Sequence, residues 1–148
     1  MQQTIVTRIA TVDDAPALAR LNLAFNGVDL LPDVLSSRLA DPQRVEQPLV
    51  AEIDGRVIGF AALRVTPSLF YESPHGELTE LYVDVAFRRR GVGRALLLLA
   101  EQIAKTSGVT QLWVLTDSAN RAARTLYNAL GYDDGDLALS KELLQSDL

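Results

Sequence analysis

Apolar positions along the chain change period several times, and each change marks an element. Residues 4–10 alternate and include Ile5, Val6 and Ile9, the period-two signature of a strand. Thr11-Val12-Asp13-Asp14 then offers cap residues, and Pro16 suits a first helical turn. Ala17, Leu18, Leu21 and Phe25 recur at helical spacing and predict a helix to about Ala24. Gly27 and Pro32 interrupt it, and a second helix is expected over residues 33–39. Asp41-Pro42 and Pro48 bracket a connector. Residues 49–53 and 56–65 are predicted strands joined by Asp54-Gly55, a strong hairpin signal. Residues 66–76, with Pro67, Pro74, Phe70 and Tyr71, read as a loop.

The stretch that organises the rest runs over residues 76–99. It opens with an alternating strand through Val85, continues into a turn carrying Arg88, Arg89, Arg90, Gly91, Gly93 and Arg94, and ends in a leucine-rich helix expected to reach Ser107. Val92, Leu96, Leu99 and Ile103 share one face of that helix, widened by Leu97, Leu98 and Ala100, and Gly108 supplies the stop. A strand over 111–116, a turn over 117–120 and a helix over 121–130 follow. That last helix is expected to bury Ala122, Ala123, Leu126 and Leu130 and to end at Gly131. Residues 137–139 fit a final short strand. No repeat, low-complexity stretch or linker interrupts the order, so one domain over residues 1–148 is expected.

Composition narrows the function classes. A chain of 148 residues can bury about 70% of its unfolded surface in one domain. The longest apolar run, residues 95–100, falls far short of the roughly 20 residues of a membrane helix. The first residues carry neither a basic segment nor an apolar signal core, so a cytoplasmic location and no membrane partner are expected. Without cysteine, disulfides, thiol catalysis and cysteine-based metal sites are excluded, and with one histidine no metal centre is expected. A net charge of −5 argues against a general nucleic-acid binder. It favours a cationic substrate only mildly, because acidity also serves solubility.

The arginine-rich turn carries the chemistry. The first amides of a helix lack intrahelical partners, and the helix dipole makes that end positive. Cations are disfavoured there unless an anion binds. Gly91 and Gly93 allow close backbone approach, and forked guanidinium groups suit phosphate oxygens. The turn therefore reads as a site for a phosphorylated ligand rather than as a solvated basic turn. A P-loop would need Gly-Lys-Ser/Thr, which Arg94-Ala95 does not supply. A dinucleotide fingerprint would need a third glycine where Leu96 stands.

The pattern present, Arg88-x-x-Gly91-x-Gly93 between a strand and a helix, resembles the acyl-coenzyme A pyrophosphate loop of the GCN5-related N-acetyltransferase (GNAT) family. A second motif agrees: Asn120 at a helix start, Tyr127 two turns later, then Leu130-Gly131-Tyr132. The order of elements matches over nearly the whole chain. The resemblance implies a mixed α/β fold, with a mostly antiparallel sheet of about six to seven strands splayed between strands four and five and flanked by about four helices. It implies acetyl-CoA as cosubstrate, with the backbone of Leu81, Tyr82 and Val83 pairing with the pantetheine arm. The amides and side chains of Arg88, Arg89, Arg90, Gly91, Val92, Gly93 and Arg94 would hold the pyrophosphate, and Asn120 would be a cap, a cofactor contact or both.

The implied reaction is direct attack of a primary amine on the thioester, in a small molecule or in a peptide or protein. A backbone N–H near Val83 would stabilise the oxyanion and Tyr127 would protonate the departing sulfur. Some relatives place a basic glutamate in the fifth strand, where this chain has Leu115. Others place it in the fourth, where Glu80 is the first candidate, Glu77 the second and His75 the third. Glu77 and Glu80 would point to opposite faces of a regular strand, and a bulge would change that. Phe25, Asp29 and Leu30 are candidates for the acceptor pocket. The family often has proline where Ala86 stands, and a homodimer is compatible with it. The alternative on the same fold is an acyl-coenzyme A-binding or sensing module without catalysis.

Overall fold

Periodicity finds nearly every element of the computed structural model, which describes residues 3–144. Two compact units divide it, one ending at Val114 and the other beginning at Leu115. The first unit holds a sheet in the order β1-β2-β3-β4-β5, formed by Ile5–Ile9, Glu46–Ile53, Arg56–Thr66, His75–Val83 and Leu112–Val114. The first four strands pair antiparallel and β5 joins β4 in parallel. Helices α1 (Ala15–Asn26), α2 (Pro32–Ala40) and α3 (Val92–Thr106) belong to this unit, and α4 (Arg121–Ala129) to the second. This is the expected mixed α/β fold with four helices.

The sheet is smaller than the six to seven strands expected: five are present among the described residues. Leu137 and Leu139 alternate as a strand would, yet both are exposed and residues 137–139 have no ladder partner. Three alternating residues recruit no neighbour by themselves, because strand stability resides in cross-strand pairing. Other boundaries move for local reasons. The second strand begins at Glu46 and runs through Pro48, whose carbonyl accepts from the Ala10 N–H at 3.0 Å. The fourth ends at Val83, because Asp84 caps a 3₁₀ turn over Val85–Phe87. Leu98 and Ala122 lie on exposed helix faces rather than in the core, one position off the packed stripe in each case.

Asp54 and Gly55 both take positive φ, 51° and 76°, as a two-residue hairpin turn of the primed type requires. The turn fixes the register Ile53↔Arg56, and a bulge at Ile58, between the pairs Glu52↔Val57 and Ala51↔Gly59, resets the alternation, so that Val57 and Phe60 join the same core cluster. Phe60, with Val50 of β2, packs against Leu18 and Leu21 of α1 and Leu35 and Leu39 of α2. Leu63 turns to the other side, toward Ala104 and Ile103 of α3 and Val109. The sheet is thus covered by α1 and α2 on one face and α3 on the other. At Gly59 an added Cβ would sit 3.0 Å from the Tyr82 carbonyl and 3.2 Å from Val92, so glycine lets the start of α3 lie close on the sheet. Among the described residues, no helix is long and apolar enough to cross a membrane.

Candidate functional site

Strand β4 carries one residue too many for its partner. Leu78 stands opposite Leu63 and Glu80 opposite Ala62, so Thr79 is a bulge. Its effect on the two carboxylates is direct. Glu77 pairs with Arg64 and Glu80 with Ala62, two positions apart on a regular stretch of β3. Direct partners share a face, so the bulge brings Glu77 and Glu80 to the same side, the face covered by α1 and α2. Glu46 of β2 stands opposite Arg64 and joins them, accepting a hydrogen bond from the Thr79 hydroxyl.

The two glutamates have different surroundings. Glu77 lies 3.9 Å from Arg64 and 4.0 Å from the His75 Nε2. Glu80 accepts from the Asn26 amide at 3.3 Å and, among the described residues, pairs with no arginine or lysine. Burial lifts its carboxyl above the usual range, the Asn26 hydrogen bond opposes this, and the like charge of Glu46 adds to it. Next along the strand, Tyr82 stacks on Phe25 with ring centres 5.0 Å apart, and Phe60 completes an aromatic cluster. Asp29 is exposed and Leu30 half-buried in the loop after α1, while Phe70 and Tyr71 stand out in solvent on the β3–β4 loop.

Among the described residues, the outer edge of β4 has no ladder partner beyond Leu78, where its register with β5 ends at Val114. The Asp84 N–H donates to the Ile58 carbonyl at 2.8 Å, which sets the alternation of the β3–β4 ladder. Tyr82, two residues earlier, therefore directs its backbone groups at Phe60, and Leu81 and Val83 turn theirs to the open edge. Of the three residues expected there, Tyr82 faces inward. The Val83 carbonyl accepts from the Arg88 Nε at 3.0 Å, while the Arg88 guanidinium lies 5.5 Å from the Tyr82 ring centre.

The turn that follows presents an uncapped helix. Gly91 adopts φ 85° as the cap of α3, and the first intrahelical bond runs from the Ala95 N–H to the Gly91 carbonyl. The amides of Val92, Gly93 and Arg94 precede it, with no side-chain cap and no acidic residue in the first turn. Arg89 also has positive φ, 62°. Arg90 is held by Gln3 at 3.0 Å and stacks over Phe87. Nothing lies within 4 Å of the place a Gly91 Cβ would occupy. Four arginines, Arg88, Arg89, Arg90 and Arg94, thus lie in sequence beside the first amides at the positive end of a 15-residue helix.

In the second unit, Asn120 caps α4, its side chain accepting from the Ala123 N–H at 3.1 Å. Tyr127 is buried, and burial pushes its hydroxyl up to about 12, so it stays protonated at neutral pH. The helix ends in a Schellman motif: Tyr132 N–H donates to the Tyr127 carbonyl at 2.9 Å, Gly131 N–H to Asn128 at 3.2 Å, and Gly131 has φ 92°. The Tyr132 ring meets the Tyr127 ring edge to face at 5.7 Å.

Comparison with known proteins bears on these features together. Residues 18–132 match the acetyltransferase (GNAT) family profile. The chain belongs to the GNAT acetyltransferase family. It is 30% identical over 147 residues to the uncharacterized N-acetyltransferase YjgM of Escherichia coli, covering 93% of this chain and 87% of that protein. It is 35% identical over 81 residues to the [ribosomal protein bS18]-alanine N-acetyltransferase of Salmonella typhimurium, covering 55% and 51% of the two. Its fold matches the aminoglycoside N-acetyltransferase AAC(6')-Iy in complex with CoA, with a TM-score of 0.81 at 19% identity over 96% of each chain. This GNAT protein is accordingly an acetyltransferase, of a family that uses acetyl-CoA. The uncapped α3 terminus, the open space at Gly91 and the unpaired β4 edge suit a diphosphate followed by an amide-bearing arm.

Proposed function

We propose that this GNAT enzyme acetylates a primary amine by direct attack, with Glu80 as the base that takes the amine's proton. Acetyl-CoA, when bound, supplies the activated acyl thioester. Its diphosphate would be held by the amides of Arg89 through Arg94 and by the guanidinium groups of Arg88, Arg89, Arg90 and Arg94, and its arm by the outward backbone of Leu81 and Val83. The Val83 N–H would donate to the thioester oxygen as negative charge develops there. Tyr127, protonated at neutral pH, would be the acid that gives a proton to the leaving sulfur, and Asn120 would add a contact from its capping position. These two roles rest on the family motif that both residues fit.

The bulge at Thr79 carries the reading, because it brings Glu80 onto the face covered by α1 and α2, where among the described residues no arginine or lysine pairs with it. A carboxylate whose proton affinity is raised accepts a proton better at neutral pH than one held by Arg64. Relatives named for aminoglycosides and for a ribosomal-protein alanine support a small-molecule or peptide amine as acceptor.

The test is thiol release from acetyl-CoA over an amine panel. Glu80→Gln is expected to lower kcat/KM by about 10²-fold or more and Tyr127→Phe by a comparable factor. Glu77→Gln is expected to act weakly. Near-native rates for Glu80→Gln would refute the assignment of the base. CoA binding with no turnover of any amine would establish the sensing alternative.

A further inference from the structure

We propose that Asn26, the last residue of α1, is a positioning residue that holds the Glu80 carboxylate in its working orientation. The inference rests on Glu80 being the base. Asn26 lies 54 positions from Glu80 in the chain, and its Nδ2 donates to the Glu80 Oε2 at 3.3 Å. The same Nδ2 donates to the Asn22 Oδ1 one turn back, at 2.8 Å, and the Asn22 amide in turn reaches the Val28 carbonyl at 3.4 Å. Both acceptors call for the NH₂ side of the Asn26 amide, so its orientation is fixed by the network.

The helix end that carries Asn26 is itself fixed twice. Gly27 closes α1 with φ 68°, its N–H bonded to the Leu23 carbonyl at 3.0 Å. Phe25, next in sequence, stacks on Tyr82 of β4, two residues beyond Glu80. The ring pair and the amide–carboxylate pair thus pin the same α1 terminus to the same stretch of strand. A long glutamate side chain on a half-buried surface samples several rotamers, and a fixed donor narrows them toward one. Arg64 is not available for this, being drawn toward Glu46 and Glu77.

The charged and polar groups sharing this face include Glu46 on β2, Arg64 on β3, His75, Glu77 and the Thr79 hydroxyl on β4, and Asn22 and Asn26 on α1, with the Arg88 guanidinium near the Tyr82 ring and Arg20 further along paired to Asp84. Because an N–H donor favours the ionised carboxylate, its removal raises the Glu80 midpoint. Removing the Glu46 charge lowers it.

The experiment follows the Glu80 side-chain carboxyl by carbon NMR across pH in the free protein, alongside pH profiles of kcat/KM. Asn26→Ala is expected to move the Glu80 midpoint upward, Asn26→Asp further upward, and Glu46→Gln downward. The acid limb of kcat/KM should move with each midpoint, and the activity loss of Asn26→Ala should fall mainly on kcat at acid pH. An unmoved midpoint in both Asn26 variants would overturn the proposal, as would an effect confined to KM. Glu80→Gln separates the two readings. If it is inactive while the Asn26 variants titrate as wild type, the base stands and the positioning role fails; if it is active, the base assignment itself fails.

Discussion

Glu77 and Glu80 show how little residue type says about role. Both are half-buried glutamates on one strand, but Glu77 spends its charge on Arg64 while Glu80 meets a neutral amide. Asp14 is the opposite case. It is 6% exposed and receives two hydrogen bonds from Arg8, at 2.7 and 2.9 Å, and one from the Thr11 N–H at 2.8 Å. The Arg8 guanidinium holds its carboxyl below the usual range, while burial opposes the shift. A native value lowered below the unfolded one contributes stability that is complete above about pH 4 and lost as pH falls through the native value. Asp14→Ala is expected to cost about 2 kcal/mol at neutral pH in urea unfolding, less than a fully buried pair because Arg8 is partly solvated. The difference from wild type should shrink in acid. Ala86 is equally local. Its N–H donates to the Asp84 side chain at 3.1 Å, so a carboxylate shapes the turn.

At the scale of elements, the ends of α3 and α4 matter more than their lengths. Gly91 combines a left-handed backbone with empty space, so Gly91→Ala suffers only the cost of the dihedral, about 1 kcal/mol. Gly59 is the converse: an added methyl meets the Tyr82 carbonyl and the Val92 and Leu96 side chains, which must give by a few tenths of an ångström. Both variants are expected to weaken CoA binding in calorimetry, Gly59→Ala with the larger fall in thermal stability. If neither changes CoA affinity, the α3 terminus is not the diphosphate site. The Leu130-Gly131-Tyr132 ending acquires a physical reason as well. Gly131 supplies the left-handed residue of the Schellman motif, and Tyr132 falls where its ring packs on Tyr127.

Over the whole first unit, charge is sorted along one strand. Glu46, Glu77 and Glu80 gather around the N-terminal half of β4, and Arg88, Arg89, Arg90 and Arg94 follow its C-terminal end. The net charge of −5 hides this separation. Attraction between arginines and a diphosphate is screened by salt, so CoA affinity should fall as ionic strength rises from low to molar. An affinity indifferent to salt in calorimetry would mean that the guanidinium groups contribute little.

The chain by itself determined the order of elements, the hairpin at Asp54-Gly55, the glycine- and arginine-rich turn at a helix start and the two family motifs. Each depends on neighbours within a few residues, where periodicity and backbone preference decide. Tertiary structure alone decided that Thr79 is a bulge, since a bulge exists only against the register of β3. It also decided that Asn26 meets Glu80, that Glu46 joins the acidic face, and that Gly59 is a packing contact. These pair residues far apart in sequence. Leu137 and Leu139 mark the same boundary from the other side: alternation proposes a strand, and only a hydrogen-bonding neighbour makes one.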